Sequence, residues 1–154
     1  MIPVPATSRL RYLSGMAALN LPGPNGTGDW HMAQTFFRPR ARRSRSFISG
    51  IGCSTDTTSI LGDIGVYDCT AVLDELGIQH ESAVVFAADH ARAIVDLVLA
   101  AVFRGESPDF VVLDDWMPRD ADKQQVFGLL EKTHSHLTPE QQDKVCEWQR
   151  KNAI

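Results

Sequence analysis

Apolar residues recur at helical spacing near the start of this chain, at Leu10, Tyr12, Leu13, Met16, Ala17 and Leu19. Ser8 is placed to cap the first turn, and Asn20 followed by Leu21-Pro22 to end the last. The pattern predicts a first helix, weakened by Gly15. Residues 1–7 hold two prolines and read as an extended lead-in. After the helix, Pro24-Asn25-Gly26 and Gly28 predict a turn. Residues 31–37 end in aromatics and read as a strand. Residues 46–52, with Phe47, Ile48 and Ile51, read as another. Residues 53–59 form a Ser/Thr-rich loop, and residues 60–67 a buried but irregular stretch between glycines. Asp68 then caps a helix through Val72, Leu73 and Leu76, which Gly77 ends. Residues 78–82 are a connector.

The hydrophobic centre is residues 83–104. Wound as a helix, Asp89, Arg92 and Asp96 share one narrow face, three and four residues apart. His90, Ile94, Leu97, Val98, Ala101 and Val102 fill the broad opposite face. So wide an apolar arc predicts contacts on more than one side. Val84, Val85 and Phe86 offer a short strand before it, and Gly105 stops it. Residues 110–113 fit strand or helix. Asp120 can cap a helix through Val126, Phe127, Leu129 and Leu130. Thr138-Pro139-Glu140-Gln141 is a helix start with Thr at the cap, Pro at the first position and Gln three residues on. Val145 and Trp148 anchor that last helix, whose remaining surface is polar.

These elements predict an α+β, mostly helical, single compact domain spanning residues 1–154. It has four to five helices and a small sheet or ribbon, with the helix near 86–104 as its core. No repeat or sustained heptad is present, and 154 residues suffice to bury a core without staples.

Charge changes this picture. The net charge of −4 hides a split. Residues 1–50 hold seven Arg and one acid, Asp29, whereas residues 51–154 hold eight Lys or Arg and 18 acids. The two signs either attract each other within the fold or face different partners. Five arginines, Arg38, Arg40, Arg42, Arg43 and Arg45, make residues 38–45 a basic loop. Three scattered cysteines, Cys53, Cys69 and Cys146, fit reduced thiols in a cytoplasm. The N-terminus lacks an apolar core of signal-peptide length, and the most apolar run, residues 93–103, is about half a membrane span and contains Asp96. A soluble, cytoplasmic protein is expected, with no membrane association.

Candidate chemistry gathers between residues 23 and 45. Guanidinium forks at the five arginines match carboxylate or phosphate oxygens, and Trp30, Phe36 and Phe37 lie nearby as aromatic anchors or stacking platforms. Asp29 stands two residues from His31 and can orient its imidazole for acid–base work; the alternative is a turn in which both make local hydrogen bonds. His90 fits a hydrogen-bonded core residue better than a ligand. His134 and His136 are spaced to chelate in an extended segment but lack a third ligand. Asp114, Asp115, Asp120 and Asp122 surround Trp116 and fit either a cation site or a solvated loop with a helix cap. Gly50-Ile51-Gly52 lacks the Gly-Lys-Ser/Thr ending of a phosphate loop. Ser54, Cys53 and Cys69 have no evident base. No cofactor, metal site or catalytic set is therefore assigned.

The motifs Leu13-Ser14-Gly15, Ala18-Leu19-Asn20, Gly28-Asp29-Trp30-His31 and Gly62-Asp63-Ile64-Gly65 resemble small bacterial proteins of mobile-element or toxin–antitoxin-type loci. The resemblance covers about the first half of the chain and implies a neutralising or accessory role in a complex. The expected function is a protein-interaction module, antitoxin-like or accessory, that binds a partner protein through Arg38, Arg40, Arg42, Arg43 and Arg45 with Trp30, Phe36 and Phe37. Two alternatives stay open. One is an enzyme acting on a nucleotide or nucleic acid with Asp29 and His31 as its acid–base pair. The other is a non-catalytic nucleic-acid binder.

Overall fold

Four three-residue strands form the sheet, in the order β2-β1-β4-β3. The computed structural model describes residues 3–26, 36 and 48–153. Strand β1 (Arg11–Leu13) pairs antiparallel with β2 (Ile48–Gly50) and parallel with β4 (Phe86–Ala88). Strand β4 pairs antiparallel with β3 (Val66–Asp68). Side chains alternate across the sheet, as the pleat requires. Tyr12, Val66 and Ala88 enter one apolar cluster, and Leu13, Tyr67 and Ala87 enter the other. The sheet is thus covered on both faces, and both share in the core.

The first cluster is built on α4 (His90–Phe103), the predicted central helix. Asp89 caps it by accepting the Arg92 N–H at 2.8 Å. Helix α4 packs against α1 (Gly15–Leu19), α6 (Asp120–Thr133) and α7 (Pro139–Lys151), so it is contacted on several sides, as its wide apolar arc implied. The second cluster takes Val4 from the lead-in, Leu73 from α3 (Thr70–Leu76), Ile78 and Phe36.

Seven helices occur among the described residues. Three of them, α1, α2 (Thr58–Leu61) and α5 (Leu113–Trp116), run only four or five residues. Such short turns leave no periodic signature in a sequence. Before α2 and α3 the chain repeats one device. Asp56 and Asp68 each accept the backbone N–H and the hydroxyl of the threonine two residues on, at 2.9 and 2.6 Å. The cap position of α3 is Cys69 rather than Asp68 as expected; Asp68 ends a strand and bonds to the first residue of the helix. Helix α3 ends at Gly77, whose φ of 73° is the left-handed cap.

Two further expectations need correction. The single helix predicted from Ser8 to Leu19 is a strand followed by a short helix. Tyr12 and Leu13 point to opposite faces of the sheet, which a helix would not allow. Gly15, with φ of 57°, breaks any continuous winding between the two. Asp120 is the first residue of α6 rather than its cap, with Arg119 at the cap position. Its carboxylate instead meets the positive end of the helix dipole.

The last helix follows its sequence signal closely. Gln141 donates its backbone N–H to the Thr138 hydroxyl at 3.2 Å, and Thr138 donates its own to the Gln141 side chain at 2.9 Å. Val145 and Trp148 are its buried residues. Among the described residues, no helix is long and apolar enough to cross a membrane.

Gly128 lies inside α6, where glycine costs about 1 kcal/mol relative to alanine. An added Cβ would meet nothing within 4 Å. Gly128→Ala is therefore expected to stabilise the fold by about 0.5–1 kcal/mol, read as a higher urea midpoint with an unchanged slope.

Candidate functional site

The arginine-rich stretch is held at its borders by contacts reaching from distant parts of the chain. On the N-terminal side, the buried His90 ring donates through Nε2 to the carbonyl oxygens of Leu21 at 2.7 Å and Ala18 at 3.1 Å. Both partners are carbonyls, so Nε2 carries the proton. Arg119 donates to the Asn25 carbonyl at 2.7 Å and to Asp122 at 2.7 Å, tying the same border to the start of α6. Phe36 is fully buried in the second cluster. On the C-terminal side Ile48 opens β2 opposite Leu13 and is buried in that cluster as well.

The most concentrated chemistry within the body lies on the predicted polar face of α4. Arg92 and Asp96 are fully buried. The Asp96 carboxylate accepts four donors. Tyr12 and Ser14 donate to one oxygen at 2.8 and 2.7 Å, and Thr57 and the Arg92 Nε donate to the other at 2.6 and 3.2 Å. Arg92 also donates to the carbonyls of Ile64 at 2.6 Å and Gly62 at 3.0 Å, and to the Thr57 hydroxyl at 2.9 Å. Its guanidinium carbon stands 5.3 Å from the Tyr12 ring centre. Burial, and then the neighbouring Asp96 charge, push the Tyr12 hydroxyl well above the usual phenol range. Each carboxylate oxygen already accepts two bonds in a closed interior. The arrangement joins β1, the start of α1 and the loops around α2 to one helix.

Of the residues singled out from sequence, Asp29, Trp30, His31, Phe37, Arg38, Arg40, Arg42, Arg43 and Arg45 lie outside the described residues, as does the strand expected over residues 31–37 apart from Phe36. The ring of Phe36 is committed to the core. His134 and His136 are exposed in a 3-10 turn after α6. His134 borders a groove of about 740 Å³ between α6 and α7, with Phe127, Gly128, Glu131 and Gln149. Two of the four acids around Trp116 are drawn into ion pairs, Asp114 with Lys123 and Asp122 with Arg119. Among the described residues no three His, Cys, Asp or Glu side chains gather as a metal site would require. Cys69 is buried, which pushes its thiol up to about 12, and Cys146 is exposed.

Sequence reasoning placed Arg92 and Asp96 on one helix face without giving them a role, and passed over Arg119 and the pair Asp74–His80. Only the i, i+4 spacing of Arg92 and Asp96 was visible. It looks the same for a solvated pair as for a buried one.

His90 makes the fold sensitive to acid. Burial is the main cause that lowers its pKa below the ordinary 6.5, against the opposing bonds to Leu21 and Ala18. The unfolded chain takes up a proton at this residue as pH falls through about 6.5, and the folded chain resists it. The His90 contribution is complete above pH 6.5 and declines as pH falls below that value. Asp89, whose carboxyl burial raises, acts in the opposite sense. The expected result is a fall in unfolding free energy from pH 6.5 to pH 5 that His90→Gln flattens, measured by urea titration at each pH.

Comparison with family models, with curated proteins and with solved structures gives no match to this chain.

Proposed function

We propose that this protein is an interaction module that binds an acidic partner protein through residues 38–45. One observation supports the reading above the others. Five arginines within eight residues stand between two core-buried residues, Phe36 and Ile48, on a body whose own cations are mostly matched. The described residues hold ten Lys or Arg against 18 acids. Seven of those ten cations pair with a carboxylate of the body: Arg9, Arg92, Arg104, Arg119, Lys123, Arg150 and Lys151.

Guanidinium groups grip carboxylates through paired N–H donors, and Trp30 and Phe37 supply apolar area to exclude water around such pairs. Binding acts by occlusion, as expected of an antitoxin-like or accessory protein. The excess of acid on the body disfavours a long polyanion as the ligand.

Reversing two charges, Arg42→Glu with Arg43→Glu, is expected to weaken partner capture from source cells by at least about tenfold. The thermal midpoint should stay where it is. Undiminished capture by the double variant would overturn the reading. Capture that is nuclease-sensitive and falls steeply with salt would assign the arginines to phosphate instead.

A further inference from the structure

The connector between α3 and β4 carries a second histidine in an unusual setting. The His80 Nδ1 lies 2.6 Å from the Ser82 carbonyl oxygen, and its Nε2 lies 2.7 Å from the Asp74 carboxylate. Neither acceptor carries a hydrogen when Asp74 is ionised. Both contacts therefore need a ring N–H, and only the imidazolium has two. The backbone around this ring holds the lead-in. Val4 donates to the Gln79 carbonyl and Glu81 donates to the Val4 carbonyl, each at 2.8 Å, and Val4 is fully buried. The connector that carries this ring is thus joined to α3 through the imidazole and to the chain's first described residues through its backbone.

We propose that protonated His80 is a clip that holds the N-terminal segment against the second core cluster, and that loss of its proton at rising pH releases that segment. Asp74 is the charged group facing the ring from α3, and the Ser82 carbonyl faces it from the connector. The docked lead-in, residues 3–7, has no titratable side chain. Glu75 and Glu81 are near in sequence, and neither supplies a bond to the ring.

The direction of the shift agrees with this geometry. The hydrogen bond to Asp74, then the Ser82 carbonyl, raise the His80 pKa above 6.5. A raised folded-state value means the contribution is fully present below about pH 6.5 and is lost as pH rises through the folded pKa. This sense is opposite to that of His90. The released segment is also the one whose Val4 shares a cluster with Phe36 and Ile48, the two borders of the arginine stretch.

Amide hydrogen exchange on the intact chain tests the clip. Protection factors at the Val4 and Glu81 amides should fall between pH 5.5 and pH 8.5, by about tenfold for each unit by which the His80 pKa is raised. The Leu99 amide in α4 should keep its protection, which separates local release from global unfolding. His80→Gln should show no such fall. Asp74→Asn should move the midpoint of protection loss, and the His80 ring titration followed by NMR, down together toward the ordinary value. Protection that is independent of pH in the unaltered chain would overturn the proposal. So would an equal fall in His80→Gln, or midpoints that do not move together in Asp74→Asn.

Discussion

Asp96→Ala is expected to cost about 3–5 kcal/mol, enough to remove most of the stability of an ordinary domain. The substitution leaves the Arg92 guanidinium buried without its counter-charge. It also strips an acceptor from the hydroxyls of Tyr12, Ser14 and Thr57 at once. Urea denaturation should show a midpoint lowered by the equivalent amount. The double variant Arg92→Met with Asp96→Leu should be less destabilised than Asp96→Ala, because the uncompensated cation is gone. It should not recover fully, since the carbonyls of Ile64 and Gly62 lose the donor that Arg92 supplies. A double variant no better than Asp96→Ala would show that the hydroxyls and carbonyls, rather than the ion pair, dominate the network.

Trp148→Ala has the next largest expected effect, also about 3–5 kcal/mol. Trp148 is the largest fully buried side chain among the described residues and joins three parts of the first cluster. It packs edge-on against Phe127 of α6, with ring centres 6.4 Å apart. Its indole N–H donates to the Val111 carbonyl at 2.8 Å, so it also holds the stretch before α5. Trp148→Phe should separate the two contributions. It keeps most of the ring area but orphans the Val111 carbonyl, for an expected cost of about 1–3 kcal/mol. Thermal melts of both variants give the ranking. In Trp148→Ala, the α7 amides should lose exchange protection before those of α4.

How much of this could be read from the chain depended on the distance between cause and effect. Helix α7 was fully legible because Thr138, Pro139 and Gln141 act on one another within four residues. Gly77 was legible for the same reason. The wide apolar arc of α4 also announced its neighbours. Its narrow polar face did not announce that it is buried, because the three hydroxyls that bond to Asp96 lie 39 to 84 residues away in sequence. Strand β1 was hidden by ambiguity. Leu10, Tyr12, Leu13 and Met16 fit a helical stripe, and only the pairing partners Ile48–Gly50 and Ala87 decide for a strand. The Asp74–His80 clip spans a reversal at Gly77, so no periodicity links its two residues. For the border of the arginine stretch, the sequence offered a clue in His90, whose place on an apolar face pointed to a hydrogen-bonded core role.

The reach of the Asp96 network also has a consequence for synthesis. Tyr12 and Asp96 are separated by 84 residues. At about 5–20 residues per second, a ribosome adds Asp96 roughly 4–17 s after Tyr12. For most of that interval β1 has no β4 beside it, and the hydroxyls of Tyr12, Ser14 and, once made, Thr57 have no carboxylate to meet. Strand β1 and the start of α1 therefore wait for their partners until α4 has been made. A chain arrested before residue 96 would offer its arginines without the body that fixes their borders.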